Sequence, residues 1–377
     1  MSAFVTAGAV QLADFSRICA QRATPEDYPL CAEVLSNVPI YQARTLRHAD
    51  RLSVMNELHR LFRDGPGVMV VRGAYKDLEV VDRHSQVFEA IFANEATQGV
   101  AADHFAKAGS NGRIWNSLQK AALQSPASFV EYYANPLLGL IAEAWLGPSF
   151  QVTAQVNVVH PGGQAQQPHR DYHLGFQTSE VVERFPLPLH VLSQYLTLQG
   201  AVAHSDMPLE TGPTQLLPFS QQYALGYLAW RRADFIDYFQ QHAVQLPLNK
   251  GDLLFFNPAL FHAAGTNHTP DRQRMANLLQ ISSAFGKPME ALDRDRMMLA
   301  VYPVLLANTA LDASAIEAVI ACTADGYSFP TNLDTDPPSQ GLAPQTGQQL
   351  MAQALNERWP LAHFAAAVEQ MRAKRQA

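Results

Sequence analysis

Three times the chain sets a histidine two positions before an aspartate: His48-Ala49-Asp50, His169-Arg170-Asp171 and His204-Ser205-Asp206. At a strand end, that spacing points both side chains to the same face. With a second histidine from another strand, the set becomes two imidazoles and one carboxylate around a metal ion. Three open positions on an octahedral ion suit non-haem Fe(II), which can then bind a cosubstrate and O2 together.

Context separates the three pairs. His48 and Asp50 stand at the start of "RHADRLSVMNELHRLFRDGPG", where Leu52, Met55, Leu58, Leu61 and Phe62 recur at helical spacing. Residues two apart on a helix point to different sides, so Asp50 reads as a first-turn acid favoured by the helix dipole. His169 and Asp171 follow a β-rich run and the turn "HPGGQ", which can aim them at the mouth of a barrel. His204 and Asp206 also follow a strand and remain a rival, although they lead into "MPLETGPTQLLP", a loop with demands of its own.

For the distal donor, His262 closes the apolar run in "GDLLFFNPALFHAAGTN". A lone histidine on an apolar face is commonly a hydrogen-bonded structural residue. The next segment argues for more. "TNHTPDRQRMANLLQIS" folds back as an antiparallel strand and carries Arg272 and Arg274 into an apolar hairpin. Arg272 fits a solvated turn, whereas Arg274 shares a face with Ala276, Leu278 and Gln280. A guanidinium buried there needs an anion, and a carboxylate ligand gripped through two parallel hydrogen bonds would meet that need.

The elements that must position these residues fall into three stretches. Residues 1–149 read as mostly helical, with one strand at "VMVVRG" (68–73) and a helix running from the Asn135-Pro136 cap to Gly147-Pro148. From about 150 to 287, short runs of Val, Leu, Phe and Thr alternate with Gly, Pro and Asn turns. Among them "HVLSQYLTLQGAVA" reads as a strand, and 205–245 holds a loop and a helix containing "YALGYLAWRR". Residues 288–377 return to helix, with Phe364, Val368 and Met371 on one face after Pro360. The expectation is an α+β fold in a single domain spanning 1–377: a double-stranded β-helix, the cupin-like jelly roll, flanked by helices at both ends.

The pieces "PGGQAQQPHRD", "ETGPTQLLPFS" and "GDLLFFNPALFHAAGTNHTPDRQRMANLLQIS" occur in that order over about 150–285 and resemble the phytanoyl-CoA dioxygenase family. The resemblance implies an Fe(II)- and 2-oxoglutarate-dependent dioxygenase with His169, Asp171 and His262 as its metal-binding and catalytic triad. It also implies that Arg274 holds the distal carboxylate of 2-oxoglutarate, and it favours His169/Asp171 over His204/Asp206. Gln155, Asn157 and Thr214 are polar positions beside the β core that can line the cosubstrate pocket, or simply serve the sheet edge. Arg170 and Tyr172 should point away from the metal pair by alternation. Three departures stand out. Ala264 occupies the place where many relatives carry a hydroxyl, and the loop reads Pro218-Phe219-Ser220-Gln221 in place of Pro-Gly-Ser-His. The turn before Arg274 is also one residue longer than is usual in that family, which leaves Arg272 in contention.

A carboxylate at position 171 argues against halogenation, which uses a small residue there to admit chloride. Hydroxylation of a small organic molecule, releasing succinate and CO2, is the expected reaction. Two alternatives are a cupin-like hydrolase or isomerase without 2-oxoglutarate, and a non-catalytic ligand-binding jelly roll. The net charge of −7 comes without a basic stripe, so no nucleic-acid partner is expected. No apolar run approaches membrane-spanning length. Three scattered cysteines suggest a reducing, cytoplasmic setting.

Overall fold

The computed structural model describes residues 3–98, 111–329 and 331–376. Ten strands organise it: β1 (Glu33–Leu35), β2 (Val38–Gln42), β3 (Val68–Arg72), β4 (Asn111–Ile114), β5 (Gln151–Val159), β6 (Thr197–Ala203), β7 (Gln215–Leu216), β8 (Leu253–Phe256), β9 (His262–Ala263) and β10 (Arg274–Ser282). Eight form one sheet in the order β1-β2-β3-β8-β6-β10-β5-β4, and β7 pairs with β9 in a second, smaller one. Apart from the parallel pair β2–β3, every pairing is antiparallel. Single bridges extend the small sheet to His169 on one side and Val244 on the other. The result is the expected α+β jelly roll with one broad wall and one narrow wall.

Alternation gives the broad sheet two different faces. Val152, Ala154, Val156 and Val158 of β5, Leu198 and Val202 of β6, and Met275, Leu279 and Ile281 of β10 face outward into the largest core cluster. Helices Arg51–Arg63, Leu78–Thr97, Ser117–Gln124, Pro126–Tyr133, Pro136–Leu146 and Arg294–Ala307 contribute to that cluster. The inner face packs Val68, Val70, Ala201, Ala203, Leu254 and Phe256 against Leu216, Leu246 and Leu248 of the narrow wall. Inner positions on β5 and β10 are largely polar: Gln155, Asn157, Arg274 and Gln280.

Three expectations need correction. Residues 1–149 are helical in large part, yet they also supply four strands to the main sheet, so the β structure begins well before 150. The segment read as one strand from His190 splits, with helix Leu187–Gln194 followed by β6. Pro186 and Pro188 at its start explain this, since proline suits the first turn of a helix. The helix around "YALGYLAWRR" is two pieces, Gly226–Ala229 and Ala233–His242. By contrast Asn135 caps Pro136–Leu146 by accepting from the Leu137 amide, and Gly147 ends that helix at φ 76°. Phe364 and Val368 of the last helix are buried, with Met371 packed against the same core. No described helix is long and apolar enough to cross a membrane.

Candidate metal centre

His169 and Asp171 lie on an extended segment that the backbone ties to the run leading into β9. His169 and His262 exchange main-chain hydrogen bonds of 3.0 and 3.2 Å, and the Asp171 amide donates to the Pro258 carbonyl at 3.1 Å. That pairing puts the two imidazoles side by side, with ring centroids 4.5 Å apart. Asp171 completes the group: its Oδ1 is 3.6 Å from His169 Nε2 and its Oδ2 is 3.3 Å from His262 Nε2. The donor atoms of all three residues lie within 4.8 Å of one another.

Hydrogen bonds fix which nitrogen of each ring is available. His169 Nδ1 lies 2.8 Å from the Gln167 carbonyl, and His262 Nδ1 lies 2.8 Å from the Leu260 carbonyl. A carbonyl oxygen can only accept, so both Nδ1 atoms carry the proton and both Nε2 lone pairs face the carboxylate. Burial lowers the His169 pKa, which favours the neutral ring. Burial alone would raise the Asp171 carboxyl, but the positive charge of His169 and His262 when they are protonated, together with hydrogen bonds from His262 and the Gln199 amide, outweighs it and holds the group well below the usual carboxylate range. With both rings in that tautomer the cluster presents two lone pairs and a carboxylate to one point, a donor set that could hold a metal ion. Both imidazoles are thereby oriented from behind by carbonyls, as metal-binding histidines usually are.

The rival pair is built differently. His204 is buried on the outer face of the sheet, with Nδ1 2.8 Å from Ser85 Oγ and Nε2 2.7 Å from Tyr132 Oη. Burial lowers its pKa to about 3. Asp206 does not meet it; its carboxylate accepts from the Lys250 amide. His48 ends one short helix, and Asp50 caps the next by accepting from the Ser53 amide.

Arg274 opens β10 on the inner face and is 6% exposed, while Arg272 lies in the solvated turn with its side chain 62% exposed. Desolvation brings the Arg274 guanidinium down to about 10, so it stays charged at neutral pH. Among the described residues nothing pairs with it. Gln155 is buried and its Oε1 accepts from Arg113, whereas Asn157 keeps a buried Oδ1 without a described partner. Thr214 is half-buried, two residues before Leu216, which sits opposite His262.

Two neighbours of the cluster escaped the sequence. Gln199, on the inner face of β6, donates to Asp171 Oδ2; the only hint was one amide inside the apolar run "LTLQGAVA". Tyr172 does not point away as alternation suggested. Its φ of 63° reverses the chain, and its hydroxyl donates to Gln280 Oε1 at 2.7 Å, directly across from Gln199. Arg170 does point away, into an aromatic cluster.

The family model for phytanoyl-CoA dioxygenase matches residues 63–276. No curated protein sequence matches the chain. Similar solved structures include the non-haem alpha-ketoglutarate-dependent epimerase SnoN from nogalamycin biosynthesis, 19% identical with a TM-score of 0.42, covering 62% of this chain and 82% of that one. A second is the non-haem alpha-ketoglutarate-dependent carbocyclase SnoK, also from nogalamycin biosynthesis, 19% identical with a TM-score of 0.43, covering 60% of this chain and 83% of that one. The family model spans more than half of the sequence, and on that ground the chain belongs to the phytanoyl-CoA dioxygenase family, oxygenases that use Fe(II), 2-oxoglutarate and O2.

Proposed function

We propose that His169, Asp171 and His262 hold Fe(II), that Arg274 grips the distal carboxylate of 2-oxoglutarate, and that the reaction is hydroxylation of a small organic molecule. The observation that carries this reading is the pair of Nε2 lone pairs, each fixed by a carbonyl behind it, converging on one carboxylate. Two neutral imidazoles and one carboxylate are the donor set that Fe(II) oxygenases use. When bound, Fe(II) with 2-oxoglutarate and O2 supplies an oxidant able to take hydrogen from carbon while 2-oxoglutarate is converted to succinate and CO2.

The chain's own residues do the positioning. Gln199 fixes the rotation of the Asp171 carboxylate, leaving Oδ1 toward His169 and Oδ2 toward His262. Arg274 offers a desolvated, unpaired fork to a dicarboxylate, where charge-assisted hydrogen bonds are strongest. Thr214 lies where β7 runs on beside Ala264, so its hydroxyl can replace the one that position 264 lacks. Asn157 is the better placed of the two amides on β5, because Gln155 already serves Arg113. The apolar inner face adjoins the site, with the Phe256 ring 4.7 Å from that of His262.

The whole chain is read as a single domain, since strands from residues 33–114 and 151–282 share one sheet. Three free cysteines support a reducing, cytoplasmic location. Two measurements test the function. Arg274→Met should raise the KM for 2-oxoglutarate about 100-fold, the loss of roughly 2.7 kcal/mol of charge-assisted binding; an unchanged KM would remove Arg274 from the cosubstrate site. Mass spectrometry of products from a metabolite screen should show the gain of one oxygen atom. A product of unchanged mass, or one short of two hydrogens, would replace hydroxylation with isomerisation or desaturation.

A further inference from the structure

Arg170 sits between the two residues of the His-x-Asp pair and is 1% exposed. Burying a guanidinium is costly unless its charge is matched, yet no carboxylate among the described residues pairs with it. Its Nη2 donates to the carbonyls of Ser220 at 2.6 Å and Tyr223 at 3.0 Å. The plane lies 5.2 Å from the rings of both Tyr227 and Phe261. The fold makes room for it: a Cβ on Gly226 would fall 1.9 Å from the guanidinium carbon.

Ser220 joins this contact to the distal histidine. Its Oγ donates to the Leu217 carbonyl at 2.6 Å and accepts from the Phe261 amide at 2.8 Å. Phe261 immediately precedes His262, just as Arg170 lies between His169 and Asp171. One turn thus holds, through its carbonyl and its hydroxyl, a residue adjoining each of the three converging side chains.

We infer that Arg170 and Ser220 form a positioning bracket that sets the separation between the His169/Asp171 segment and His262, and so the affinity and geometry of the metal site. This rests on the ligand reading above. The histidine–histidine main-chain pairing fixes the register of the two segments; the bracket fixes how far each is pulled toward the 217–223 turn. An apolar residue at 170 would fill the aromatic cluster more cheaply. The guanidinium adds directed bonds to two carbonyls, which an apolar side chain cannot give. Neither residue touches metal or substrate, so both act through the backbone of the residues that do.

The test is Co(II) binding to the full chain, read as a dissociation constant and as the shape of the visible ligand-field spectrum. Circular dichroism and thermal melting of the metal-free protein report folding separately. Ser220→Ala removes the hydroxyl and leaves the carbonyl; Arg170→Met keeps bulk and removes the donors. Both are expected to weaken Co(II) binding about 10-fold or more, as loss of outer contacts to a metal site usually does, and to change the spectrum while the secondary structure stays native. Folded variants with wild-type affinity and spectrum would overturn the bracket. Should Arg170→Met fail to fold, Ser220→Ala decides alone. His169→Ala is the control: if it binds Co(II) as the wild type does, the ligand reading falls, and a bracket that failed on its own would leave that control intact.

Discussion

Two pairs of histidines lie on opposite sides of the same sheet and have opposite surroundings. On the inner side, His169 and His262 direct Nδ1 at carbonyls and Nε2 at Asp171, with ring centroids 4.5 Å apart. On the outer side, His84 and His204 are 6.4 Å apart and meet hydroxyls. Ser85 spends its proton on the Val81 carbonyl, so it accepts from His204 Nδ1, and Tyr132 must donate to Nε2. His84 stacks on Tyr132 at 4.0 Å and bonds Ser128. Both lone pairs that could hold a metal are thus free on the inner side, whereas the His204 lone pair is already occupied. Residue type and spacing do not separate the two cases; the partner of the second nitrogen and the presence of a carboxylate do.

The comparison breaks most sharply at His262. His262→Ala should lower 2-oxoglutarate-dependent succinate formation by roughly 1,000-fold, about 4 kcal/mol, since the metal loses one of three protein donors. Retained turnover, measured by succinate release under saturating Fe(II), would contradict the assignment. His204→Ala should act on stability instead. It leaves Tyr132 and Ser85 with altered partners in a packed core, for a loss of about 3 kcal/mol in urea unfolding, while Co(II) affinity stays that of the wild type. A weakened metal site with unchanged stability would reverse the roles.

A smaller effect sharpens the same contrast through pH. Burial depresses His204 to about 3 and His84 well below its ordinary value, so the folded protein keeps both neutral where the unfolded chain takes up protons. Stability from these groups is complete above about pH 6.5 and falls as pH drops, by up to about 1.4 kcal/mol per pH unit for each. His169, also depressed by burial, adds to the fall in the metal-free protein. Urea midpoints between pH 7 and pH 4 check this, and His204→Ala should shallow the slope. A flat profile would mean that the outer pair is not held neutral.

How much of this was legible in the sequence depends on whether a residue's role is local. Strands β3, β5, β8 and β10 carry runs of apolar and β-branched residues, and Asn135, Pro136 and Gly147 are local punctuation, so both were readable. β4 was not, because Asn111-Gly112-Arg113 has poor strand propensity and becomes a strand only by pairing with β5. The same holds for the three residues of β1, which pair only with β2 at the sheet edge. Within the site, His169, Asp171, His262 and Arg274 stood out because polar residues at the ends of apolar runs are conspicuous. Gln199 and Ser220 act across strands distant in sequence, and Tyr172 depends on a left-handed backbone that no periodicity encodes.

Anaerobic titration with Fe(II) and 2-oxoglutarate, followed by visible absorption, tests the inner cluster most directly. The expected result is a weak charge-transfer band in the wild type that persists in His204→Ala and disappears in His169→Ala. A band that survives His169→Ala, or that is lost only with His204→Ala, would contradict the assignment of the metal centre to His169, Asp171 and His262.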